Sequence, residues 1–80
     1  MRYVETDQEI SIGDRVVVGP SPGLVVCDFE KWVALPGYED WLIKDELVGG
    51  GHLASGVMIE TQQYGFIHYP EPNEEIVKTG

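Results

Sequence analysis

The sequence predicts a mainly β domain with antiparallel strands, and three features of its apolar pattern indicate this class. Apolar residues occur in short bursts that are separated by glycine, proline and acidic residues. No stretch keeps the 3.6-residue period over the roughly ten residues that a helix needs. The first clear burst is the run of three valines at residues 16–18, and β-branched residues favour strands. We therefore expect short strands joined by tight turns, with at most one helical turn.

The first half of the chain contains three predicted strands. Residues 12–18 place a Gly-Asp turn before the valine run, which is a common start of a strand. Residues 19–23 contain two prolines and two glycines, and they predict a tight loop because proline cannot donate a ladder hydrogen bond. Residues 24–29 and 32–35 are the second and third predicted strands. A short leader at residues 1–5 is a candidate edge strand.

The second half begins with a mixed segment and continues into a hairpin. At residues 41–48 an apolar group led by tryptophan meets Lys-Asp-Glu and returns to Leu-Val, which predicts a strand, one helical turn and a short strand. Residues 49–56 are rich in glycine, which gains little from any single conformation, and they predict a loop. Residues 57–61 and 66–69 predict an additional C-terminal β-hairpin, because Gly65 can adopt a positive φ in the connecting loop.

The chain is predicted to form a single domain over residues 1–80. It contains no internal repeat and no second apolar segment large enough for another core. At this length a chain buries only roughly 60 to 65% of its unfolded surface, which leaves room for one core. Two prolines end the last predicted strand, so residues 73–80 are expected to be a flexible tail, in which Ile76 and Val77 can dock back.

Four motifs follow one another in the first half: IGDRVVV at residues 12–18, GLVV at 23–26, WVAL at 32–35 and WLIKDEL at 41–47. This succession resembles the pattern of SH3-like β-barrel domains such as KOW and Tudor modules. The resemblance covers residues 12–48 and implies a small antiparallel barrel, in which a strand runs into one 3₁₀ turn and a short final strand. The hairpin at residues 57–69 is then an addition to a minimal five-stranded barrel.

The charge of the chain limits the classes of partner. It has 5 Lys or Arg residues against 14 Asp or Glu residues, a formal net charge of −9. Such a molecule repels a phosphate backbone and an anionic membrane surface, so we expect no nucleic-acid or membrane binding, although KOW-type modules often hold RNA. The acidic residues are scattered, which is typical of a solvated surface and also suits a basic protein partner.

Cysteine content and hydropathy indicate the compartment. The single Cys27 cannot form an internal disulfide, and small exported domains generally depend on several. No apolar run approaches the ~18 residues of a membrane span, and no signal sequence opens the chain. We therefore expect a cytoplasmic protein.

Few residues suggest catalysis or metal binding. His52 and His68 lack the spacing of known zinc motifs, so no metal site is expected. Cys27 follows two valines, which is typical of a small buried residue and not of a reactive thiolate. The glycines at residues 49–51 lack the lysine and Ser/Thr of a phosphate-binding loop. The chain is accordingly predicted to be no enzyme and to need no cofactor.

A turn that joins aromatic and acidic residues is the candidate binding site. Tyr38 and Trp41 flank Glu39 and Asp40, and aromatic faces beside carboxylates can hold a cation or an Arg/Lys-rich peptide. The alternative is that these aromatics fill the core of a small barrel. Tyr38, next to a glycine in a turn, is expected to be the most exposed of them.

Three functions are compatible with these features. The first is a non-enzymatic, acidic protein-binding module. The second is a neutralising inhibitor, such as an immunity-type protein from a mobile or accessory gene, whose acidic surface covers a basic active site. The third is a small-ligand-binding barrel with residues 50–55 as a lid. A homodimer is compatible with all three, because pairing at a sheet edge enlarges a small core.

Overall fold

The computed structural model describes residues 1–42 and 55–79 of the 80-residue chain. In these residues it contains six strands and one 3₁₀ turn: β1 (Arg15–Val18), β2 (Ser21–Asp28), β3 (Val33–Ala34), the 3₁₀ turn (Glu39–Trp41), β4 (Val57–Thr61), β5 (Gly65–Tyr69) and β6 (Ile76–Lys78). Within the same residues, no helix has the length and apolarity needed to cross a membrane. Residues 49–54 of the loop predicted at 49–56, and the part of the predicted strand, helical turn and short strand that falls at residues 43–48, lie outside the described residues.

Five of the strands form one antiparallel path in the order β5-β4-β2-β1-β6, while β3 pairs with the far end of β2. The path does not close on itself in the described part of the chain. The mainly β class, the antiparallel pairing and the hairpin at residues 57–69 are confirmed, and so is the limit of one helical turn in the described residues. Gly65 adopts φ +71° at the end of the hairpin loop, as its position predicts.

The tight loop predicted at residues 19–23 is shorter than expected. β2 begins at Ser21, so only Gly19 and Pro20 form the turn, with Gly19 at φ +57°. Pro22 lies opposite Val17 in the strand pair and accepts the N–H of Gln62 through its carbonyl. The prediction was wrong here because a proline near the start of a strand still supplies an acceptor to the sheet.

The tail predicted at residues 73–80 is corrected for Ile76–Lys78, which form β6 and pair with β1. Ile76 lies opposite Val18 and is 1% exposed, so the burial of its side chain holds the segment against the sheet. Asn73 begins the turn before β6, because its carbonyl accepts the N–H of Ile76.

The leader predicted as an edge strand at residues 1–5 forms only an isolated bridge between Arg2 and Glu9. Its main contribution is Tyr3, which is 2% exposed and whose hydroxyl donates to Asp14 Oδ2 at 2.8 Å. The leader therefore covers one face of the sheet and adds no strand to its edge.

Two apolar clusters lie on opposite faces of the sheet, because Met58 and Ile59 are consecutive on β4 and belong to different clusters. The first cluster consists of Tyr3, Ile10, Val16, Val18, Val25, Val57, Ile59, Tyr69 and Ile76. The second consists of Val26, Cys27, Phe29 and Met58, against which Leu24, Trp32, Ala34, Leu35, Tyr38, Trp41 and Leu42 pack.

A β-bulge between Val25 and Cys27 allows one strand to supply both clusters. A bulge adds one residue to one strand and so changes which side chains face each side of the sheet. Val25 therefore lies in the first cluster, while Val26 and Cys27 both lie in the second. The segment of residues 29–42 covers the second cluster and carries the predicted site residues.

Candidate functional site

The 3₁₀ turn places Tyr38 and Trp41 on one side of the chain. The N–H of Trp41 donates to the carbonyl of Tyr38 at 3.1 Å, and the N–H of Leu42 donates to that of Glu39 at 2.9 Å. Residues three apart eclipse each other in such a turn. The side chain of Glu39 also folds back to accept the N–H of Gly37 at 2.8 Å, which steadies the entry to the turn. A strand was predicted to begin at Trp41, and the structure places this residue in the turn instead.

An aromatic cluster of Tyr38, Trp41 and Phe66 lies where this turn meets β5. The ring centroids of Trp41 and Phe66 are 5.2 Å apart, and those of Tyr38 and Phe66 are 6.1 Å apart in an edge-on arrangement. These distances fall in the range of favourable ring pairs. Phe66 remains 42% exposed, so the cluster offers an aromatic face to solvent.

Three carboxylates accompany the aromatic cluster, one in contact with Tyr38 and two on the 3₁₀ turn. The Tyr38 hydroxyl donates to Glu60 Oε1 at 2.8 Å, and this hydrogen bond raises the pKa of Tyr38. Glu39 and Asp40 are exposed on the 3₁₀ turn. None of these three carboxylates forms an ion pair with a residue in the described ranges 1–42 and 55–79. We call these three carboxylates and the aromatic cluster together the aromatic–acidic surface.

The structure brings all four predicted site residues into this surface, with one correction. Tyr38 was expected to be the most exposed aromatic, but it is only partly exposed because its ring packs on the second apolar cluster and its hydroxyl is held by Glu60. Tyr64, at 53%, is more exposed. The alternative interpretation, in which these aromatics fill the core, is partly correct, since Tyr38 and Trp41 both pack on the second cluster.

Sequence reasoning counted Phe66 among the aromatic residues of the chain but assigned neither Phe66 nor Glu60 to the site. They lie more than twenty positions after Tyr38 and reach it only because β4 and β5 pair with Glu60 opposite Phe66. A period-2 pattern places both side chains on the same face once the hairpin register is known. No local motif in the sequence reveals that Tyr38 lies against this face.

A row of paired residues continues from this surface across the sheet. Phe66 lies opposite Glu60, Glu60 lies opposite Leu24, and Leu24 lies opposite Arg15. Directly opposed residues in antiparallel strands share a face, so we call these four side chains the cross-strand row. The row combines an aromatic ring, a carboxylate, an apolar side chain and a guanidinium.

The Arg15 half of the row lies in a groove of about 820 Å³. Segment 29–42 packs over the other part of this face through the second apolar cluster, to which Val17 does not belong. The groove is lined by Arg15, Val16, Val17, Pro22, Gly23, Leu24, Glu60, Thr61, Gln62 and Thr79. Glu60 belongs to both the groove and the aromatic–acidic surface, so the two are continuous.

Cys27 lies beneath the aromatic–acidic surface. Its side chain is 0% exposed, and its thiol donates to the Tyr38 carbonyl at 3.6 Å. Burial, together with the negative charge of Glu39, raises the pKa of the Cys27 thiol from its ordinary value of 9.0 to about 11. The interpretation of Cys27 as a small buried residue is confirmed.

We expect native Cys27 to resist alkylation by iodoacetamide at pH 8, because the reactive thiolate is both buried and disfavoured. The pKa of this thiol is higher in the folded chain than in the unfolded chain. The buried neutral thiol therefore contributes its full stabilisation below pH 9, and this stabilisation is lost as the pH rises to about 11. Mass spectrometry should show slow labelling in buffer and fast labelling in denaturant. A Cys27→Ala variant controls for other sites, and equal labelling rates in both conditions would contradict the expectation.

The remaining candidates for chemistry do not assemble into a site. His68 is partly buried on β5, where its Nε2 lies 2.8 Å from the Ser55 carbonyl and its ring meets Phe29 edge-on at 5.2 Å. In the described residues, no group of three or more His, Cys, Asp or Glu side chains is arranged to hold a metal ion. His52 lies outside those residues.

The fold and the site define a small antiparallel β-sheet domain with an exposed aromatic and acidic surface. No protein-family model, curated protein or solved structure matches the chain.

Proposed function

We propose that this chain is a non-enzymatic protein-binding module that captures a basic segment of its partner at the aromatic–acidic surface. The observation that carries the proposal is the absence of any ion pair to Glu39, Asp40 or Glu60 within the described residues, although these carboxylates lie on the same surface as the exposed Phe66 ring. A guanidinium or ammonium group placed there gains from both the carboxylates and the ring faces. The net charge of −9 attracts such a partner over a longer range.

We also propose that the domain belongs to the SH3-like barrels. Its five-stranded path is antiparallel throughout, and the last strand, β6, pairs with the first, β1. The resemblance implied one 3₁₀ turn before a short final strand at residues 41–48, whereas the short β6 follows β5 through residues 70–75 without a 3₁₀ turn. On this assignment, segment 29–42 is an insertion between two strands of the barrel that carries the binding turn.

A Tyr38→Ala, Glu39→Lys double variant is expected to lose at least roughly tenfold in affinity for basic peptides, because it removes one aromatic face and reverses one charge. Fluorescence anisotropy with labelled arginine-rich peptides measures the loss. A matched Tyr64→Ala, Glu71→Lys variant makes the same changes at two exposed positions outside the surface. Equal affinities for the two double variants would refute the proposal, as would wild-type binding that stays flat between low and high salt.

A neutralising inhibitor is the second candidate function, and the excess of unpaired carboxylates favours it. Among the described residues, Glu9 and Glu30 are the carboxylates that form ion pairs, with Lys31 and the N-terminal ammonium respectively. The rest contribute a negative field suited to covering a basic active site. An inhibitor requires a folded basic enzyme as its partner, so it would reduce enzyme activity while binding short basic peptides only weakly.

A further inference from the structure

The cross-strand row points to the kind of peptide that the surface accepts. We propose that Arg15, Leu24, Glu60 and Phe66 bind an extended peptide that carries a basic and an acidic residue a few positions apart, with the basic residue at Glu60 and the acidic residue at Arg15. This inference rests on the proposed function, since the basic residue occupies the aromatic–acidic surface already described.

Arg15 is the feature that the proposed function leaves unused. It is exposed on β1, lines the groove, and has no ion-pair partner in the described part of the chain. The chain has only five Lys or Arg residues, so a guanidinium without an ion-pair partner among the described residues is a site of positive charge within an acidic molecule. Its planar fork binds carboxylates in a bidentate manner. The complementary ligand group is therefore a carboxylate.

The spacing between Glu60 and Arg15 sets the spacing within the ligand. The two residues are separated by Leu24, and thus by two inter-strand steps. Opposed Cα atoms in antiparallel strands are about 5 Å apart, so the two charges arise from backbone positions roughly 10 Å apart. An extended peptide advances about 3.3 Å per residue and its side chains alternate between two faces, so basic, apolar and acidic side chains that all face the row lie at alternate positions, with the two charges about four residues apart.

Leu24 provides the contact for the middle residue of the ligand. It is partly buried against the second apolar cluster and also lines the groove. An apolar ligand side chain between the two charged residues would rest on it and exclude water from both ion pairs, which strengthens them. The charges of Glu60 and Arg15 thus favour a peptide that is basic, apolar and acidic in turn over a purely basic one.

The test compares short, capped synthetic peptides that contain one arginine, one leucine and one glutamate. Arginine and glutamate are placed about two, four or eight positions apart, so that both side chains face the same way, and a fourth peptide has the four-position spacing with glutamine in place of glutamate. Affinity for the full chain is measured by fluorescence anisotropy at low salt. The four-position peptide is expected to bind roughly fivefold more tightly than the glutamine peptide and more tightly than the other two spacings.

Two variants locate the acidic end of the ligand. Arg15→Glu is expected to abolish the preference for glutamate over glutamine, whereas Lys78→Glu, which makes the same charge change on the opposite face of the sheet, should retain it. Thermal unfolding of both variants checks that they fold, and Arg15→Gln provides a milder replacement. Equal binding of the glutamate and glutamine peptides by the wild type overturns this inference and leaves the proposed function standing. Failure of every arginine peptide to bind overturns both.

Discussion

Replacing Gly56 with alanine is expected to prevent stable folding. A Cβ atom at this position would lie 1.8 Å from the Tyr69 carbonyl oxygen and 2.7 Å from the Pro70 Cα, and backbone atoms cannot move aside as a flexible side chain can. Gly56 also has φ +76°, which disfavours any residue with a side chain. We expect a loss of at least about 4 kcal/mol, against a total stability of about 4–12 kcal/mol for a domain of this size.

Gly65→Ala is the matched control for this effect. Gly65 has a similar φ of +71°, but nothing lies within 4 Å of a Cβ added there. Only the backbone cost of about 1–2 kcal/mol then applies. Urea unfolding followed by circular dichroism should separate the two variants clearly, and similar losses in both would show that the close approach of Gly56 to Tyr69 is not what constrains this position.

Gly56 also determines how segment 29–42 is joined to the sheet. Its carbonyl accepts the N–H of Phe29 at 2.9 Å, and its N–H donates to Glu30 Oε2 at 3.4 Å. Both partners lie at the start of the segment that carries Tyr38 and Trp41. A substitution at Gly56 is therefore expected to disturb the aromatic–acidic surface as well as the stability of the domain.

Ile59→Ala is expected to destabilise the domain by about 2–5 kcal/mol, because it creates a cavity in the first apolar cluster. Ile59 is 0% exposed and lies between Val25 and Ile67 in neighbouring strands. Ile59→Val should cost about 0.5–1.5 kcal/mol and remains measurable if the alanine variant does not fold. The free energy of unfolding from urea titration tests both values, and a loss below that of Ile59→Val would contradict the placement of Ile59 in the core.

A double-variant cycle with Gly23 makes this test more specific. A Cβ on Gly23 would lie 2.9 Å from Ile59 Cγ2, so Gly23→Ala should be costly in the wild type. In the Ile59→Ala background that methyl group is absent, and the same substitution should cost less. A coupling free energy of about 0.5–3 kcal/mol is expected for residues in contact. If the two losses in unfolding free energy simply add, the side chains at positions 23 and 59 are not in contact in the first cluster.

Substitutions on the two faces of the sheet are expected to change different properties, stability on one face and binding on the other. Ile59 lies in the first cluster, whereas Glu60, the next residue, carries the Tyr38 hydrogen bond and lines the groove. Because side chains alternate along a strand, these consecutive residues lie on opposite faces of the sheet and have different roles. A polar change at Glu60 is thus a functional probe, while a change at Ile59 is a structural one.

Local sequence features identified most of the described elements. The valine run at residues 16–18, the hairpin at 57–69 and the turn beside Tyr38 all follow from propensity, glycine placement and aromatic content within a few residues. Errors occurred where a local signal competed with a distant contact. Residues 76–78 follow two prolines and several acidic residues, yet the burial of Ile76 against the first cluster makes them a strand.

The sequence by itself determined the class of the domain, its acidity and the turn from Tyr38 to Trp41, because these depend on composition and on neighbours along the chain. Only the tertiary structure decided that Glu60 and Phe66 complete the surface and that Arg15 lies at the other end of the same row. The physical reason is that strand partners and register are set by the burial of one face of the whole sheet. No single segment contains that information.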